Sequence, residues 1–128
     1  MDEAGLRVLV VDDAALVRLY YRNALEAAGW QVDEALNGIE ALEKLSGAAA
    51  DLLIVDVNMP RMDGLSFLKV LRRQAGEAAF TPAVVISTEA GPQDVASARA
   101  AGANFYLVKP VDPARLVEVV GLICGTAP

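Results

Sequence analysis

The chain has 128 residues, 55% hydrophobic and 22% charged, which suits one soluble globular domain with a real core and leaves no room for a second. A formal charge of -6 and a pI near 4.5 supply no basic surplus to neutralise phosphates, so nucleic acid is not expected as a partner. There is no histidine, which excludes histidine metal sites, histidine general bases and histidine-containing triads.

A single cysteine, Cys124, allows no internal disulfide and fits a reducing cytosol; its apolar helical context reads as core filler. With no signal pattern and no apolar run of about 18 residues, a cytoplasmic protein without membrane insertion is expected.

In chain order, Arg7–Val11 (RVLVV) predicts a buried strand that ends in the pair Asp12-Asp13. Asp13 is placed to cap a first helix with the apolar stripe Leu16, Leu19/Tyr20, Ala24 and Ala27, ended by Gly29. Trp30–Glu34 alternates in polarity and reads as an edge strand. Asn37 with Glu40 resembles a capping box, and Leu42 and Leu45 give the second helix its inner face. Asp51–Val55 is a third strand, with Asp56 just beyond it. Asp63-Gly64 opens a helix that carries Leu65, Leu68 and Leu71 at helical spacing. Ala83–Ser87 is a fourth strand. Pro92 starts a fourth helix, stopped by Gly102, that offers only Val95 among alanines for burial. Phe105–Val108 is the fifth strand, and Asp112-Pro113 opens a last helix with Leu116, Val119/Val120 and Ile123. Regular strand-helix alternation predicts an α/β fold of five βα units.

In an open parallel sheet, ligands bind beyond the carboxyl ends of the strands. Those ends carry Asp12 and Asp13, Asp56, Ser87 and Thr88, and Lys109 followed by Pro110. Singly, each has a plain explanation: a helix cap, a turn residue, a loop lysine. Met59 and Met62 read as packing. Together on successive strand ends, these groups point to a site. Three carboxylates this close need a counter-cation, and all-oxygen ligands select a hard ion such as Mg²⁺. A carboxylate can attack phosphorus to give an acyl phosphate, and Asp56 on the central strand is the candidate nucleophile. Lys109 and Mg²⁺ would then stabilise the transferring group.

The set Val11-Asp12-Asp13, Asp56-Val57-Asn58-Met59-Pro60 with Met62-Asp63-Gly64, Ser87-Thr88-Glu89 and Phe105-Tyr106-Leu107-Val108-Lys109-Pro110 resembles the receiver domain of two-component response regulators. The match spans Leu6 to Cys124. The resemblance implies a doubly wound (βα)5 flavodoxin-like three-layer sandwich with sheet order 2-1-3-4-5, an order of which chemotaxis receivers are themselves a known instance.

It also implies roles. Asp56 would be the phosphoacceptor, Asp13 a direct Mg²⁺ ligand, Asp12 one that acts largely through water, and the backbone carbonyl of Asn58 a further ligand. Lys109 would contact the phosphoryl group, with a cis bond to Pro110. Ser87 would be the switch hydroxyl and Tyr106 the aromatic that follows it, so that the face of the fourth helix, fifth strand and fifth helix changes affinity for a target. Asn58 and Glu89 match positions that tune aspartyl-phosphate lifetime, a pairing that resembles chemotaxis-type receivers.

Without a histidine, the phosphodonor must act in trans: a histidine kinase or a histidine phosphotransfer protein. The chain ends soon after its fifth helix, so a stand-alone receiver without an output domain, monomeric when unphosphorylated, is expected over residues 1–128. It would be a signalling phosphoacceptor catalysing only its own phosphorylation and slow autodephosphorylation, in a chemotaxis or phosphorelay role. Three alternatives remain open at this point. An aspartate-nucleophile phosphatase would place Asp-x-Asp near the first strand. A flavodoxin-like electron carrier needs a phosphate-cradling first loop, which Ala14-Ala15-Leu16-Val17 does not provide. The third is a receiver-like interaction module that signals without phosphorylation.

Overall fold

Short β-branched runs build five parallel strands, and each is followed by a helix that returns the chain to the same edge of the sheet. The computed structural model describes residues 6–125. The strands are β1 (Arg7–Val11), β2 (Gln31–Ala35), β3 (Leu52–Asp56), β4 (Ala83–Ser87) and β5 (Phe105–Val108), in the order β2-β1-β3-β4-β5. The helices are α1 (Ala15–Ala27), α2 (Gly38–Gly47), α3 (Gly64–Arg72), α4 (Pro92–Ala101) and α5 (Pro113–Cys124). This is the flavodoxin-like doubly wound fold. Among the described residues, no helix is long and apolar enough to cross a membrane.

The pleat sends alternate residues of each strand to opposite faces. Leu9, Val11, Leu53, Val55 and Val85 face α2, α3 and α4, where Ala41, Leu45, Phe67, Leu68 and Leu71 complete one core. Val8, Val10, Leu52, Ile54, Val84 and Ile86 face α1 and α5, against Tyr21, Leu25, Leu116, Val119 and Val120. β1, β3 and β4 are therefore covered on both sides, which explains their continuous apolar sequence, whereas β2 lies at an edge.

Several expectations need correction. The inner face of α1 is Arg18, Tyr21 and Leu25, while Leu16 is 81% exposed and Leu19 and Tyr20 are also outside. The stripe fails because Arg18 and Tyr20 carry polar ends whose acceptors decide their direction: Tyr20 donates to the Val111 carbonyl, and Arg18 donates inward to Asp12. Asp13 does not cap α1. The cap position is Ala14, whose amide donates to Asp12 Oδ1 (2.9 Å). β2 begins at Gln31 rather than Trp30, because the Trp30 amide still donates to the Leu25 carbonyl at the close of α1. β3 is shifted likewise: Asp51 lies before it and Asp56 within it, paired in register with Ile86. In α4 the fully buried residues are Ala98 and Ala101, and Val95 is only half-buried. A short 3₁₀ turn at Glu77–Phe80, not expected, precedes β4.

The other caps hold. Asn37 accepts the Glu40 amide, Asp63 that of Ser66, and Asp112 that of Ala114. Gly102 stops α4 at φ 114°, in the left-handed region that glycine enters at no steric cost. Cys124 is half-buried against the α1/α5 core, and burial, followed by the charge of Asp51, pushes its thiol up. It is a packing residue.

Candidate acidic phosphoacceptor site

β1 and β3 are neighbours, so the residues at their carboxyl ends meet. Asp12, Asp13 and Asp56 each bring a carboxylate oxygen within 4.8 Å of the others. Asp12 and Asp56 are 2% and 6% exposed, while Asp13 faces solvent. Lys109 leaves the end of β5, across β4 from β3, and its Nζ donates to Asp56 Oδ1 at 3.1 Å. The Lys109-Pro110 bond is cis, as the resemblance implied.

The electrostatics are unbalanced. Burial pushes the Asp12 carboxyl above its ordinary range; the Ala14 amide opposes this, and the Asp56 charge adds to it. Asp56 is likewise raised, first by burial, against the pull of Lys109 and with a further push from Asp13. One lysine thus acts on both buried carboxylates, Asp12 and Asp56. Among the described residues, Asp12 Oδ2 is the buried side-chain oxygen left without a hydrogen-bond partner. A buried, orphaned carboxylate oxygen on a residue whose carboxyl group lies within 4.8 Å of two others is what a cation-binding site requires. The oxygen-only donor set fits a hard divalent ion rather than a thiophilic one.

The loop after β3 is held tightly. The Gly64 amide donates to the Val57 carbonyl at 3.0 Å, and a Cβ on Gly64 would lie 2.2 Å from the Asp56 carbonyl oxygen. Only glycine permits that approach, which brings Asn58 to the rim. Met59 is buried in the core and Met62 packs over Gly38, in agreement with their reading as packing residues.

Ser87 ends β4, 1% exposed, and its Oγ accepts the Glu89 amide at 3.0 Å. Tyr106 is half-buried and donates its hydroxyl to the Glu89 carbonyl at 2.8 Å. Ser87, Glu89, Asn58 and Tyr106 line one cleft of about 340 Å³, along with the first turns of α4. Thr88 turns outward instead, into a second cleft of about 570 Å³ with Lys109, Leu16 and Tyr20.

One participant was missed. Arg18 is buried, and its Nη1 donates to the Asp12 carbonyl at 2.7 Å while its Nε pairs with Glu34 at 2.6 Å. A signal was available: Glu34 falls on the same face of β2 as Val32, which packs against the α1/α5 core. An acid at such a position calls for a cation, and Arg18 and Arg22 stand four apart on the neighbouring helix.

The chain belongs to the response regulator receiver domain family, whose model matches residues 8–121. Within that family it is similar to chemotaxis regulators. It is 40% identical over 123 residues to the chemotaxis protein CheY1 of Helicobacter pylori, covering 94% of this chain and 98% of that one. It is 36% identical over 121 residues to the chemotaxis protein CheY of Thermotoga maritima, covering 93% and 98%. The solved structure of Vibrio cholerae CheY4 superposes with a TM-score of 0.88 at 38% identity, covering 94% of this chain and 99% of that one. Membership identifies a two-component signalling domain, implies a phosphoacceptor role, and sets the protein apart from conventional enzymes.

Proposed function

We propose that Asp56 accepts a phosphoryl group from a phosphohistidine of a histidine kinase or histidine phosphotransfer protein, and that this changes the affinity of the α4-β5-α5 face for a target protein. The observation that carries the reading is the carboxylate triad within 4.8 Å, with Asp12 Oδ2 unpartnered and Lys109 on Asp56. An Asp56 carboxylate oxygen attacks phosphorus, the bond from phosphorus to the donor's imidazole nitrogen breaks, and an acyl phosphate remains. Asp12, Asp13, Asp56 and the Asn58 carbonyl would hold Mg²⁺, which when bound supplies charge stabilisation to the phosphoryl oxygens. Lys109 exchanges its bond to Asp56 for one to a phosphoryl oxygen.

Ser87 has a hydroxyl hydrogen to donate, because its recorded bond uses the oxygen as acceptor. Donation to the phosphoryl group would draw on the Glu89 loop and release Tyr106 from the Glu89 carbonyl, opening the 340 Å³ cleft to its ring. Exposed Phe105, Val108 and Leu122 give the α4-β5-α5 face apolar surface for a protein target. Asn58 and Glu89 line the 340 Å³ cleft with Ser87, and on this reading they tune hydrolysis of the acyl phosphate, which is slow autodephosphorylation. The similarity to chemotaxis proteins favours a motor-type output; a phosphorelay would use the same acceptor chemistry. The unphosphorylated protein acts as a cytoplasmic monomer.

The test is incubation with acetyl phosphate and Mg²⁺ followed by intact mass. One phosphoryl adduct of about 80 Da is expected, absent from Asp56→Asn and from samples treated with chelator. An adduct that persists in Asp56→Asn would displace Asp56 as acceptor. No adduct at all, with Mg²⁺ bound, would leave a receiver-like module that works without phosphorylation.

A further inference from the structure

Among the described residues, Arg18 is the one buried arginine, and its two bonds join the site to the edge of the sheet. Asp12 is fixed at three of its polar atoms. Its amide donates to the Ala35 carbonyl (3.0 Å), its Oδ1 accepts from Ala14 (2.9 Å), and its carbonyl accepts from Arg18 Nη1 (2.7 Å). Only Oδ2 is left over, buried and without a partner. The Asp12 carbonyl belongs to the same rigid peptide unit as the Asp13 amide, so the bond from Arg18 also sets the direction in which Asp13 leaves the strand.

The guanidinium is itself held. Its Nε pairs with Glu34 Oε1 at 2.6 Å, while Arg22 pairs with Glu34 Oε2 and donates to the Val32 carbonyl at 2.7 Å. A charge-assisted bond between fixed, partly buried partners is directional and stronger than a neutral one. We propose that Arg18 is a positioning residue for the cation site: anchored by Glu34, it locks the Asp12-Asp13 peptide so that both carboxylates are presented together. Resting on the metal-binding reading above, this assigns to α1 and β2 a part in the chemistry at the ends of β1 and β3.

A simpler possibility is that Arg18 merely neutralises Glu34. Arg22 separates the two roles, because it shares Glu34 but has no bond to Asp12. Calorimetric titration with MgCl₂ is to be run on wild type, Arg18→Met and Arg22→Met, each first shown by thermal melting to be folded at the assay temperature. Groups that orient metal ligands from behind are worth about 10–100-fold in affinity. Arg18→Met is therefore expected to weaken Mg²⁺ binding by about tenfold, while Arg22→Met loses stability and keeps wild-type affinity.

Should Arg18→Met not fold, Arg18→Lys carries the test. Lysine keeps the charge beside Glu34 but lacks the planar fork that reaches both acceptors, so it too is expected to bind Mg²⁺ more weakly. Wild-type affinity in the folded Arg18 variant, or an equal loss in Arg22→Met, would overturn the proposal while leaving the metal site intact. No Mg²⁺ binding by the wild type would overturn the metal-binding reading and the proposal with it.

Discussion

Asp12 has one carboxylate oxygen bonded to Ala14 and the other buried without a partner, beside the charge of Asp56. Without a cation, that arrangement costs stability. The sign follows from the direction of the shifts. In the folded protein Asp12 and Asp56 hold their protons more tightly than the unfolded chain does, where the ordinary value is 3.8. The stability gained from protonation is complete below that value and is lost as pH rises through the raised folded-state values. At neutral pH the ionised pair works against folding. Asp12→Asn should therefore raise the unfolding free energy of the chelator-treated protein by about 1–2 kcal/mol at neutral pH. Its advantage over wild type should shrink toward acid pH, and Mg²⁺ should stabilise wild type more than the variant. Melting curves across pH, with chelator and with MgCl₂, check this; a variant less stable than wild type at neutral pH would contradict it.

Among the elements, α1 shows most clearly where sequence reading reaches its limit. Its apolar spacing pointed to Leu16, Leu19 and Tyr20, yet the helix turns Arg18, Tyr21 and Leu25 inward. Hydrophobic periodicity assumes that polar side chains seek water, and it misleads where acceptors such as the buried Asp12 carbonyl and the half-buried Glu34 await an arginine. Replacing Leu16 by Ser should change stability by less than about 0.5 kcal/mol, whereas Leu25→Ala should cost about 2–5 kcal/mol. Denaturant unfolding of the two variants decides which face is inside.

For α4 the sequence was more legible. Its shortage of large apolar residues was plain, and the helix buries only Ala98 and Ala101 fully, which suits either a weakly anchored helix or a small-residue helix packed close to the sheet. What the sequence hid is a clamp at one end: Arg72 donates to the Gly102 carbonyl from Nε (3.1 Å) and Nη2 (2.8 Å). The opposite end begins at Gly91 with no side-chain cap. Amides in the first turns of α4 should exchange with solvent faster than those of α3, which buries Phe67, Leu68 and Leu71. Equal protection along both helices would contradict a loosely held α4.

At the scale of the molecule, the site was readable because the fold converts sequence position into spatial position. A parallel sheet brings every strand's carboxyl end to one rim, so residues that follow apolar runs converge even when far apart in the chain. Asp12, Asp13, Asp56, Ser87 and Lys109 were found that way. Arg18 was not, because it reaches the site from behind a strand rather than from its end. Hydrogen bonds link Ser87 to Glu89 and Glu89 to Tyr106, the route proposed for the signal, on the opposite side of the acceptor from Arg18. Tyr106→Ala should be phosphorylated at Asp56 at close to the wild-type level. It should, however, lose most of the phosphorylation-dependent change in amide exchange over α4-β5-α5. An undiminished change would remove Tyr106 from that route.

The most direct measurement is to locate the phosphoryl group. An aspartyl phosphate is an acyl phosphate, and borohydride reduces it to homoserine at the acceptor position. The protein, phosphorylated with acetyl phosphate and Mg²⁺, is reduced and digested, and its peptides are sequenced by mass spectrometry. Homoserine at position 56, dependent on Mg²⁺ and confined to that residue, is the predicted result. Homoserine at Asp12 or Asp13 instead, or a phosphorylated protein in which Asp56 stays unmodified, would contradict the assignment of Asp56 as the phosphoacceptor.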